Sequence, residues 1–481
     1  MELSNIDKTI NEFIEPISAK ANEIVFYSVP VGGGADLKLI LLWLIGAGAF
    51  FTIYLGFINI RYFGHAISLL KPKEKDAQDG QITRFQALMS SLSGTVGLGN
   101  IGGVAIAVSL GGPGAVFWMV VMGFIGMSSK FTEITLAVKY RTHPDPENPE
   151  KIAGGPMYYL REAFDRNGMH GVGVFFAAMF AVFCIGASIS GGNMFQINQA
   201  FAQVVNVTGG DNSFLAGSGW MFGLFVAVLV GAVIFGGIKS IASVASRLVP
   251  LMAAIYIISG LAVLGLNAHQ VPSAFMNIIT QAFSPEAGYG GFIGALLIGA
   301  QRAFFSNEAG IGSAAIVHAA AKTNSPVSQG MVGMLGPFID TVVICSITAL
   351  VIVVTGVYDQ ANGMEGVELT SRAFESAIPE FKYMLALVVC LFAFSTMITW
   401  FYYGMKSLAY LFGENKWVGI SFKLLFCFSL VIGASADIAN VVNLTDAMFF
   451  ALAIPNIIAL YIFAPEIKRD VKKYIQTLKN K

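Results

Sequence analysis

Hydrophobic residues along the chain form long, nearly uninterrupted runs, and the short segments between them carry most of the charged residues. A helix needs about 20 apolar residues to cross the hydrocarbon core of a bilayer, and eleven of these runs are long enough. They cover residues 39–60, 86–110, 113–138, 172–204, 214–237, 247–267, 291–318, 330–356, 382–405, 417–436 and 440–464. The pattern predicts an all-α polytopic membrane protein with eleven transmembrane helices.

The lysine and arginine residues predict how these spans are oriented. Of the 29, five lie on the amino-terminal side of the membrane, three lie within spans and 21 lie on the opposite side. Positive charge stays in the cytoplasm, so the amino terminus is predicted outside and the carboxyl terminus inside. Residues 1–38 carry acids and no long apolar core, so we expect an extracellular segment and not a cleaved signal peptide. The expected location is the plasma (inner) membrane.

Composition agrees with lipid as the surrounding solvent. Of 481 residues, 55% are hydrophobic and 12% are charged, whereas a soluble domain is about one quarter charged. The formal net charge is zero, so no nucleic-acid partner is expected, and no obligate protein partner is evident. The four cysteines lie inside apolar runs without a CxxC pair and the histidines are scattered, so neither a disulfide, a metal centre nor a catalytic group is indicated.

Two predicted spans contain segments that a continuous membrane helix would not tolerate. Residues 93–103 hold five glycines, and residues 304–313 place Ser306, Asn307 and Glu308 beside two glycines. Glycine costs about 1 kcal/mol in a helix interior, and every backbone group freed in lipid needs a partner. Broken backbone at this depth is therefore expected only where it lines a cavity or is held by other protein.

The two interrupted spans occupy corresponding positions, because each begins a unit of five helices. The first unit covers residues 86–267 and the second covers 291–464, and they start on opposite faces of the membrane, which predicts an inverted 5+5 repeat. Span 39–60 is then a peripheral helix outside the repeat, and residues 465–481 form a cytoplasmic tail. Glycine-interrupted segments at matching positions of two halves indicate the binding site of a transporter.

Residues 97–102 also match the G-x-G-x-x-G pattern of dinucleotide-binding folds. No strand precedes this motif and no acid lies about 20 residues beyond it, so the nucleotide interpretation is rejected. A second alternative is that Gly99 and Gly103 only let two helices pack closely, as in GxxxG motifs. Thr95 and Asn100 add polar groups that packing does not need, which favours a binding segment.

Two further spans carry polar side chains at membrane depth. Span 172–204 contains the amide side chains Asn193, Gln196 and Asn198. For each of these, substrate contact and hydrogen bonding between helices are equally good interpretations. Span 382–405 contains the cluster Ser395, Thr396, Thr399 and Trp400. The hydroxyl of a lone Ser or Thr in a membrane helix usually donates to a backbone carbonyl of the same helix. Two adjacent hydroxyls opposite a broken helix, however, suit an oxygen cage for a hard cation.

Charged residues inside spans are functional candidates by default, because they are costly in lipid. Lys130 and Glu133 lie near the cytoplasmic interface, where snorkelling or a local i,i+3 pair accounts for them. Arg302, Glu308 and Asp340 lie near mid-depth. We expect these three to form a mutual ion pair that braces the second broken helix, with direct substrate contact as the alternative.

Five longer motifs lie between residues 111 and 310, and they carry a resemblance that covers nearly the whole chain, from the first span to Pro455. They are Gly111-Gly-Pro-Gly-Ala-Val-Phe-Trp-Met119, Lys130-Phe-x-Glu133, Ala153-Gly-Gly-Pro-Met-Tyr158, Gly236-Gly-Ile-Lys-Ser240 and Phe305-Ser-Asn-Glu-Ala-Gly310. Together they resemble the alanine/glycine:cation symporter family. Val120 and Leu98 depart from the family pattern, which often has tryptophan and threonine there. The resemblance implies sodium- or proton-coupled uptake of alanine, sometimes glycine, across a prokaryotic plasma membrane.

A more distant resemblance implies roles for individual residues. Residues 96–100 are similar to the unwound first helix of leucine-transporter-type sodium symporters, 301–306 to their other broken helix, and 392–396 to their sodium-binding helix. There, backbone amides matching Leu98 and Gly99 hold the substrate carboxylate. With the polar segment of span 172–204, the expected substrate contacts are Leu98, Gly99, Gly191, Gln196, Phe305, Ser306 and Trp400. The expected Na⁺ ligands are Ser93, Val96, Phe392, Ser395 and Thr396.

These patterns together predict a secondary active symporter that imports a small neutral amino acid, alanine or glycine, with Na⁺ around a mid-membrane site. H⁺-coupled amino-acid symport is the alternative. An ion channel is a weaker one, because it needs a continuous pore lined by rings of carbonyls or like charges. No catalytic constellation indicates an enzyme, and no cofactor is expected because the ion gradient supplies the energy. The sequence leaves substrate choice, enantiomer preference, stoichiometry and oligomeric state open.

Overall fold

The computed structural model describes residues 5–30, 36–71, 79–144, 148, 151–284, 291–360, 364 and 366–480. Within these ranges nearly all regular structure is helical, as the apolar runs predict. The exception in the described ranges is a two-stranded antiparallel pair in the amino-terminal segment. It consists of β1 (Ser28–Pro30) and β2 (Asp36–Lys38), with Val29 opposite Leu37.

The helices follow one another along the chain. The main ones are α1 (Asn5–Val25), α2 (Leu39–Tyr54), α3 (Arg84–Thr95), α4 (Gly99–Gly111), α5 (Gly114–Lys139), α6 (Pro156–Asp165), α7 (His170–Val207), α8 (Gly219–Ile234), α9 (Gly237–Leu266), α10 (Val271–Ala282), α11 (Gly291–Asn307), α12 (Ser313–His318), α13 (Pro326–Thr355), α14 (Val367–Ala377), α15 (Phe381–Phe412), α16 (Lys416–Ser435) and α17 (Ile438–Lys479). Shorter helical segments are Ile58–Arg61, Phe63–Ser68, Gly210–Asn212, Ala268–Gln270 and Val357–Gln360.

Among the described residues, seven helices are long and apolar enough to cross a bilayer: α5, α7, α9, α13, α15, α16 and α17. The bent pair α3 and α4 gives an eighth crossing if it is counted as one span, and α2 and α8 are shorter apolar helices. The prediction of an all-α polytopic membrane protein is confirmed. A helix or a helix pair lies at each of the eleven predicted spans, while the count of eleven crossings and the inverted repeat stay predictions.

Both predicted breaks are present. The axes of α3 and α4 are bent by 55° across residues 96–98. Helix α11 ends at Asn307 and α12 begins at Ser313. Between them Glu308 has a φ of 55° and Gly310 a φ of 83°, both in the left-handed region. For a non-glycine residue this backbone costs about 1–3 kcal/mol, so the contacts around Glu308 must hold it there.

Two features depart from the predicted pattern. Helices α7 and α13, expected to be regular, contain π-helical turns at Ser190–Met194 and Phe338–Cys345. Such turns often occur at functional sites. The amino-terminal segment, for which the sequence predicts no membrane span, contains α1, which packs along α17. Phe26, just after α1, contacts Phe450 with 5.2 Å between ring centroids.

The predicted cytoplasmic tail is the last part of a helix. Helix α17 continues through Pro465 to Lys479, even though proline removes a backbone hydrogen bond inside a helix. The next residue, Glu466, pairs with Lys139 and with Arg166, both at 2.6 Å, and these pairs hold it against the ends of α5 and α6. Residue 465 therefore lies inside a continuous helix, and the boundary between the membrane span and the cytoplasmic tail stays a prediction.

Candidate functional site between the broken helices

Oxygen atoms from α3 and α15 converge where the first broken helix is interrupted. The Ser93 hydroxyl donates to the Ser395 carbonyl at 2.7 Å, and the Ser395 hydroxyl donates to the Phe392 carbonyl at 3.0 Å. The Thr399 hydroxyl donates to Ser93 Oγ at 3.0 Å. All four residues are fully buried. The structure thus brings together three residues expected to bind Na⁺, and it adds Thr399 beside them.

Val96 and Thr396 are the other two expected Na⁺ ligands. Helix α3 closes at Val96, whose amide donates to the Leu92 carbonyl at 2.7 Å and whose ψ of 85° turns the chain out of the helix. Thr396 Oγ1 is buried and has no hydrogen-bond partner among the described residues. A Cβ added at Gly97 would lie 2.6 Å from this oxygen. The Thr396 hydroxyl therefore faces the interrupted backbone.

The amides at the start of α4 meet the polar segment of α7. The Leu98 amide donates to Gln196 Oε1 at 3.1 Å, and Gln196 Nε2 donates to the Gly191 carbonyl at 2.9 Å. The Gly97 amide donates to Asn100 Oδ1 at 2.8 Å. Three expected substrate contacts, Leu98, Gly191 and Gln196, thus lie together. The Leu98 amide, which the resemblance assigns to a carboxylate, is directed at the oxygen of a neutral side chain.

Aromatic rings form one wall of this region. The ring centroids of Phe305 and Phe449 are 5.1 Å apart, and those of Phe449 and Trp400 are 4.5 Å apart. Phe195 meets Phe305 edge to face at 5.5 Å. A Cβ added at Gly99 would lie 3.2 Å from the Phe305 ring, so this glycine lets the ring come close to the break. Phe195 and Phe449 are site residues that the sequence pattern did not single out.

Two adjacent glycines of α7 let this aromatic wall pack against the helix. A Cβ at Gly191 would overlap the Phe449 ring, and a Cβ at Gly192 would overlap the Trp400 side chain. Both aromatic side chains are buried, with 3% of Phe449 and none of Trp400 exposed. A larger residue at either glycine would therefore displace a ring of the wall.

The Asp340 carboxylate links both broken helices through α13. It accepts hydrogen bonds from Asn100 Nδ2 at 2.6 Å and from the Ser306 hydroxyl at 2.8 Å. The Cys345 sulfur lies 3.3 Å from both donor atoms. Asn100 follows the first break and Ser306 precedes the second, so one carboxylate holds the two breaks together. The hydroxyl of Ser306, an expected substrate contact, is directed at Asp340.

The expected ion pair among Arg302, Glu308 and Asp340 is wrong. Arg302 pairs with Asp446 of α17, and Gln301 Nε2 donates to the same carboxylate at 2.7 Å. The break after Asn307 separates the two residues. Arg302 lies within α11, on the side that faces α17, whereas Glu308 lies in the turn after α11 ends. Asp446 itself was the available signal, since an acid inside a predicted span is a functional candidate.

Glu308 is held by side chains from three other helices. Its Oε1 accepts from Trp400 Nε1 at 3.1 Å, its Oε2 accepts from the Ser313 hydroxyl, and its carbonyl accepts from Lys130 Nζ at 2.7 Å. Lys130 also lies 3.8 Å from Glu133. The expected i,i+3 pair is therefore confirmed, but snorkelling is wrong, since both side chains are buried. The lysine braces the second break.

Helix α14 packs against the start of α4. The Thr370 hydroxyl donates to the Ile101 carbonyl at 3.1 Å. A cavity of about 340 Å³ lies beside α14 and α7, and its lining includes Glu368 and Asp211. Burial and then the nearby Asp211 carboxylate raise the pKa of Glu368. Two acids therefore face a cavity that borders helices of the candidate site.

Comparison of the sequence with known proteins identifies the family of this chain. The family model described as the sodium:alanine symporter family matches residues 31–481. The chain belongs to this family. It is 40% identical over 445 residues to the sodium/alanine symporter AgcS of Methanococcus maripaludis, an overlap of 92% of this chain and 95% of that protein. It is 33% identical over 447 residues to the amino-acid carrier protein AlsT of Bacillus subtilis, an overlap of 92% and 90%.

A solved structure with a similar fold is that of MhsT in complex with L-phenylalanine. The TM-score is 0.52 at 15% identity, and the match covers 82% of this chain and 99% of that chain. At this identity the likeness concerns the fold alone, and it confirms the expected leucine-transporter-type fold. Family and helices together make this chain a multi-pass membrane protein of an amino-acid symporter family.

Proposed function

We propose that this protein imports a small neutral amino acid, alanine in the first place, together with Na⁺ by alternating access. The observation that carries the proposal is the position of Thr396, whose buried hydroxyl faces the first break beside Gly97. The interrupted helix then offers oxygens to a cation and amides to a carboxylate within a few residues. Membership of the sodium:alanine symporter family supports the same pair of solutes.

The proposed Na⁺ ligands are Ser93, Val96, Phe392, Ser395 and Thr396. Hard cations prefer oxygen ligands, and carbonyls at the carboxyl-terminal end of a half-helix carry partial negative charge. Here α3 supplies that end and α15 supplies the hydroxyls. The hydrogen bonds between Ser93 and Ser395 already hold the two helices in contact, so a bound ion would share or replace these bonds.

The substrate carboxylate is proposed to bind the amides of Leu98 and Gly99 at the start of α4. The amino-terminal end of a helix attracts anions, because its first amides lack intrahelical partners and the helix dipole is positive there. The Leu98 amide donates to Gln196 Oε1 at 3.1 Å. A carboxylate is a stronger acceptor than this neutral oxygen and would displace it. Gln196 is then free to turn toward the substrate.

The size of the substrate side chain is proposed to be set by the wall of Trp400, Phe449 and Phe305. Two members of this wall have no room to recede toward α7, because the Phe449 ring already packs on Gly191 and the Trp400 side chain on Gly192. Extra methylenes forced into a close-packed interior cost about 1–3 kcal/mol. We therefore expect hydrogen or methyl to fit beside the wall, which favours glycine and alanine over branched amino acids.

Proton coupling is the second candidate mechanism, and Glu308 is the observation that favours it. Its buried carboxyl accepts hydrogen bonds from Trp400 and Ser313. The protonation of Glu308 would therefore change with the position of Trp400 in the aromatic wall. Asp340 is a second buried carboxyl at the breaks. A carboxyl at this depth is a proton-relay candidate by default.

Uptake of labelled alanine into proteoliposomes, with sodium and proton gradients imposed separately, tests the proposal. We expect saturable uptake that needs an inward sodium gradient and persists when the pH is equal on both sides. If a proton gradient alone drives alanine uptake, and Glu308→Gln abolishes that uptake, the result would contradict sodium symport and indicate proton symport. Flux that does not saturate with alanine would indicate a channel.

A further inference from the structure

A second cavity lies at the end of the bundle where α8 ends and α16 begins. Its volume is about 540 Å³, within the range of about 300–1,000 Å³ typical of ligand pockets. Residues from the end of α8, the start of α9, the second half of α15 and the start of α16 line it. Its described lining shares no residue with the proposed solute site, so the cavity is a separate feature of the fold.

The floor of this cavity is apolar and its surroundings are aromatic. Ile234, Ile241 and Phe401 belong to the lining, and each is 3% exposed or less. Phe412 and Trp417, which flank the lining residues 413–416, are 61% and 75% exposed. Exposed aromatic side chains, tryptophan above all, are enriched where a membrane meets water. Phe412 and Trp417 beside the cavity therefore fit a position at the depth of the lipid headgroups.

Three lysines line the same cavity: Lys406, Lys416 and Lys423. Glu414 also lines it, but its carboxylate pairs with Lys151 at 2.9 Å. The cavity thus carries an excess of positive charge. The amino-terminal end of α16 adds to it, because the helix dipole is positive there.

We propose that this cavity binds one anionic phospholipid from the leaflet on the carboxyl-terminal side of the membrane. The phosphate lies among the three lysines, and an acyl chain follows the apolar floor. Basic pockets between membrane helices on the cytoplasmic side suit anionic headgroups, and the charge pattern of the sequence assigns this side to the cytoplasm. A free inorganic anion would use the lysines and leave the apolar floor without a role, so the lining favours a lipid.

Native mass spectrometry of the full chain in detergent, with phosphatidylglycerol or phosphatidylcholine of equal chain length, tests the proposal. The variant is Lys416→Gln with Lys423→Gln. Lys406 is kept, because its ammonium also donates to the Ile152 carbonyl at 3.1 Å. We expect the wild type to retain one phosphatidylglycerol and no comparable phosphatidylcholine. The variant should bind phosphatidylglycerol about 30-fold more weakly, or near fivefold per lysine.

The matched control is Lys472→Gln with Lys473→Gln, two exposed lysines of α17 on the same side of the membrane. It should retain phosphatidylglycerol like the wild type. Equal losses in the two double variants would overturn the proposal, as would equal retention of phosphatidylcholine. Equal melting temperatures in lipid-free detergent establish that the variants are folded, and none of these readouts depends on the transported solute.

A third variant separates a lipid from a free anion. Gly419→Leu fills part of the cavity with an apolar side chain without changing a lysine, and a Cβ there would meet Met405 no closer than 3.9 Å. We expect it to weaken phosphatidylglycerol binding, while inorganic phosphate fails to compete with the lipid in the wild type. Undiminished lipid binding by Gly419→Leu, or displacement of the lipid by millimolar inorganic phosphate, would show an anion site and contradict the proposal.

Discussion

The Trp400 indole nitrogen donates to Glu308 Oε1 at 3.1 Å and to the Gly94 carbonyl at 3.2 Å. Gly94 lies just before the first break and Glu308 opens the second, so one side chain of α15 is bonded to both broken helices. The Phe449 ring, 4.5 Å away between centroids, supports the other side. A movement of either broken helix must therefore change the position of the ring that borders the proposed side-chain pocket.

The first prediction concerns size selection by this ring. Trp400→Ala enlarges the pocket, so valine and leucine should become competitors of labelled alanine uptake. Alanine itself should bind more weakly because it loses contacts with the indole. Trp400→Phe keeps an aromatic wall and should preserve most of the selectivity. If Trp400→Ala transports alanine with native affinity and still excludes leucine, the ring does not wall the site.

The second prediction concerns the cation. Thr396→Val keeps the shape of the side chain and deletes the buried oxygen that faces the first break. The sodium concentration for half-maximal alanine uptake should rise severalfold, because a hard cation loses an oxygen ligand. Thr396→Ser keeps the hydroxyl and should stay close to the wild type. An unchanged sodium dependence in Thr396→Val, with normal uptake, would place the cation elsewhere.

The two breaks were predictable because their residues conflict with a membrane helix. Five glycines in residues 93–103 weaken the helix, and Ser306, Asn307 and Glu308 add polar groups that lipid cannot satisfy. Such a conflict is local, so it is visible in the sequence. The hydroxyls of Ser395 and Thr396 were visible for the same reason.

Partners that come from distant parts of the chain were not predictable. Arg302 was paired with acids near it in sequence, but α11 turns it toward Asp446, 144 residues further on. Which face of a helix meets which neighbour depends on packing, and no local pattern encodes it. The same holds for Phe449, whose ring completes the aromatic wall, and for Lys130, whose ammonium reaches the Glu308 carbonyl.

The third prediction concerns the buried pair of Arg302 and Asp446. Removing one partner of a buried ion pair leaves an uncompensated charge, at a cost of about 3–5 kcal/mol. Arg302→Met should therefore lower the melting temperature in detergent strongly, and Arg302→Met with Asp446→Leu should recover most of the loss. The exposed pair of Lys20 and Glu23 is the control, since Lys20→Met should change little. Asp446→Leu alone should lower the melting temperature as Arg302→Met does. If the double variant instead loses the sum of the two single decreases in melting temperature, the two residues do not act as a pair.

The fourth prediction concerns orientation. In a background without native cysteines, a cysteine at Asp211 should react with an impermeant reagent added outside intact cells, and one at Lys472 should not. Disruption of the cells should expose both. The charge pattern of the loops is the reason, because positive residues stay in the cytoplasm. The opposite labelling pattern would overturn the orientation and the inverted-repeat argument with it.

Joint passage of alanine and Na⁺ at the first break is tested most directly by one measurement. Proteoliposomes containing the purified protein are loaded without solute, and the uptake of labelled sodium is followed after alanine is added outside. We predict that alanine drives sodium into the vesicles, and that Thr396→Val lowers this flux at limiting sodium. Accumulation of alanine without any movement of sodium, accompanied by acidification of the vesicle interior, would contradict the account and assign the coupling to protons.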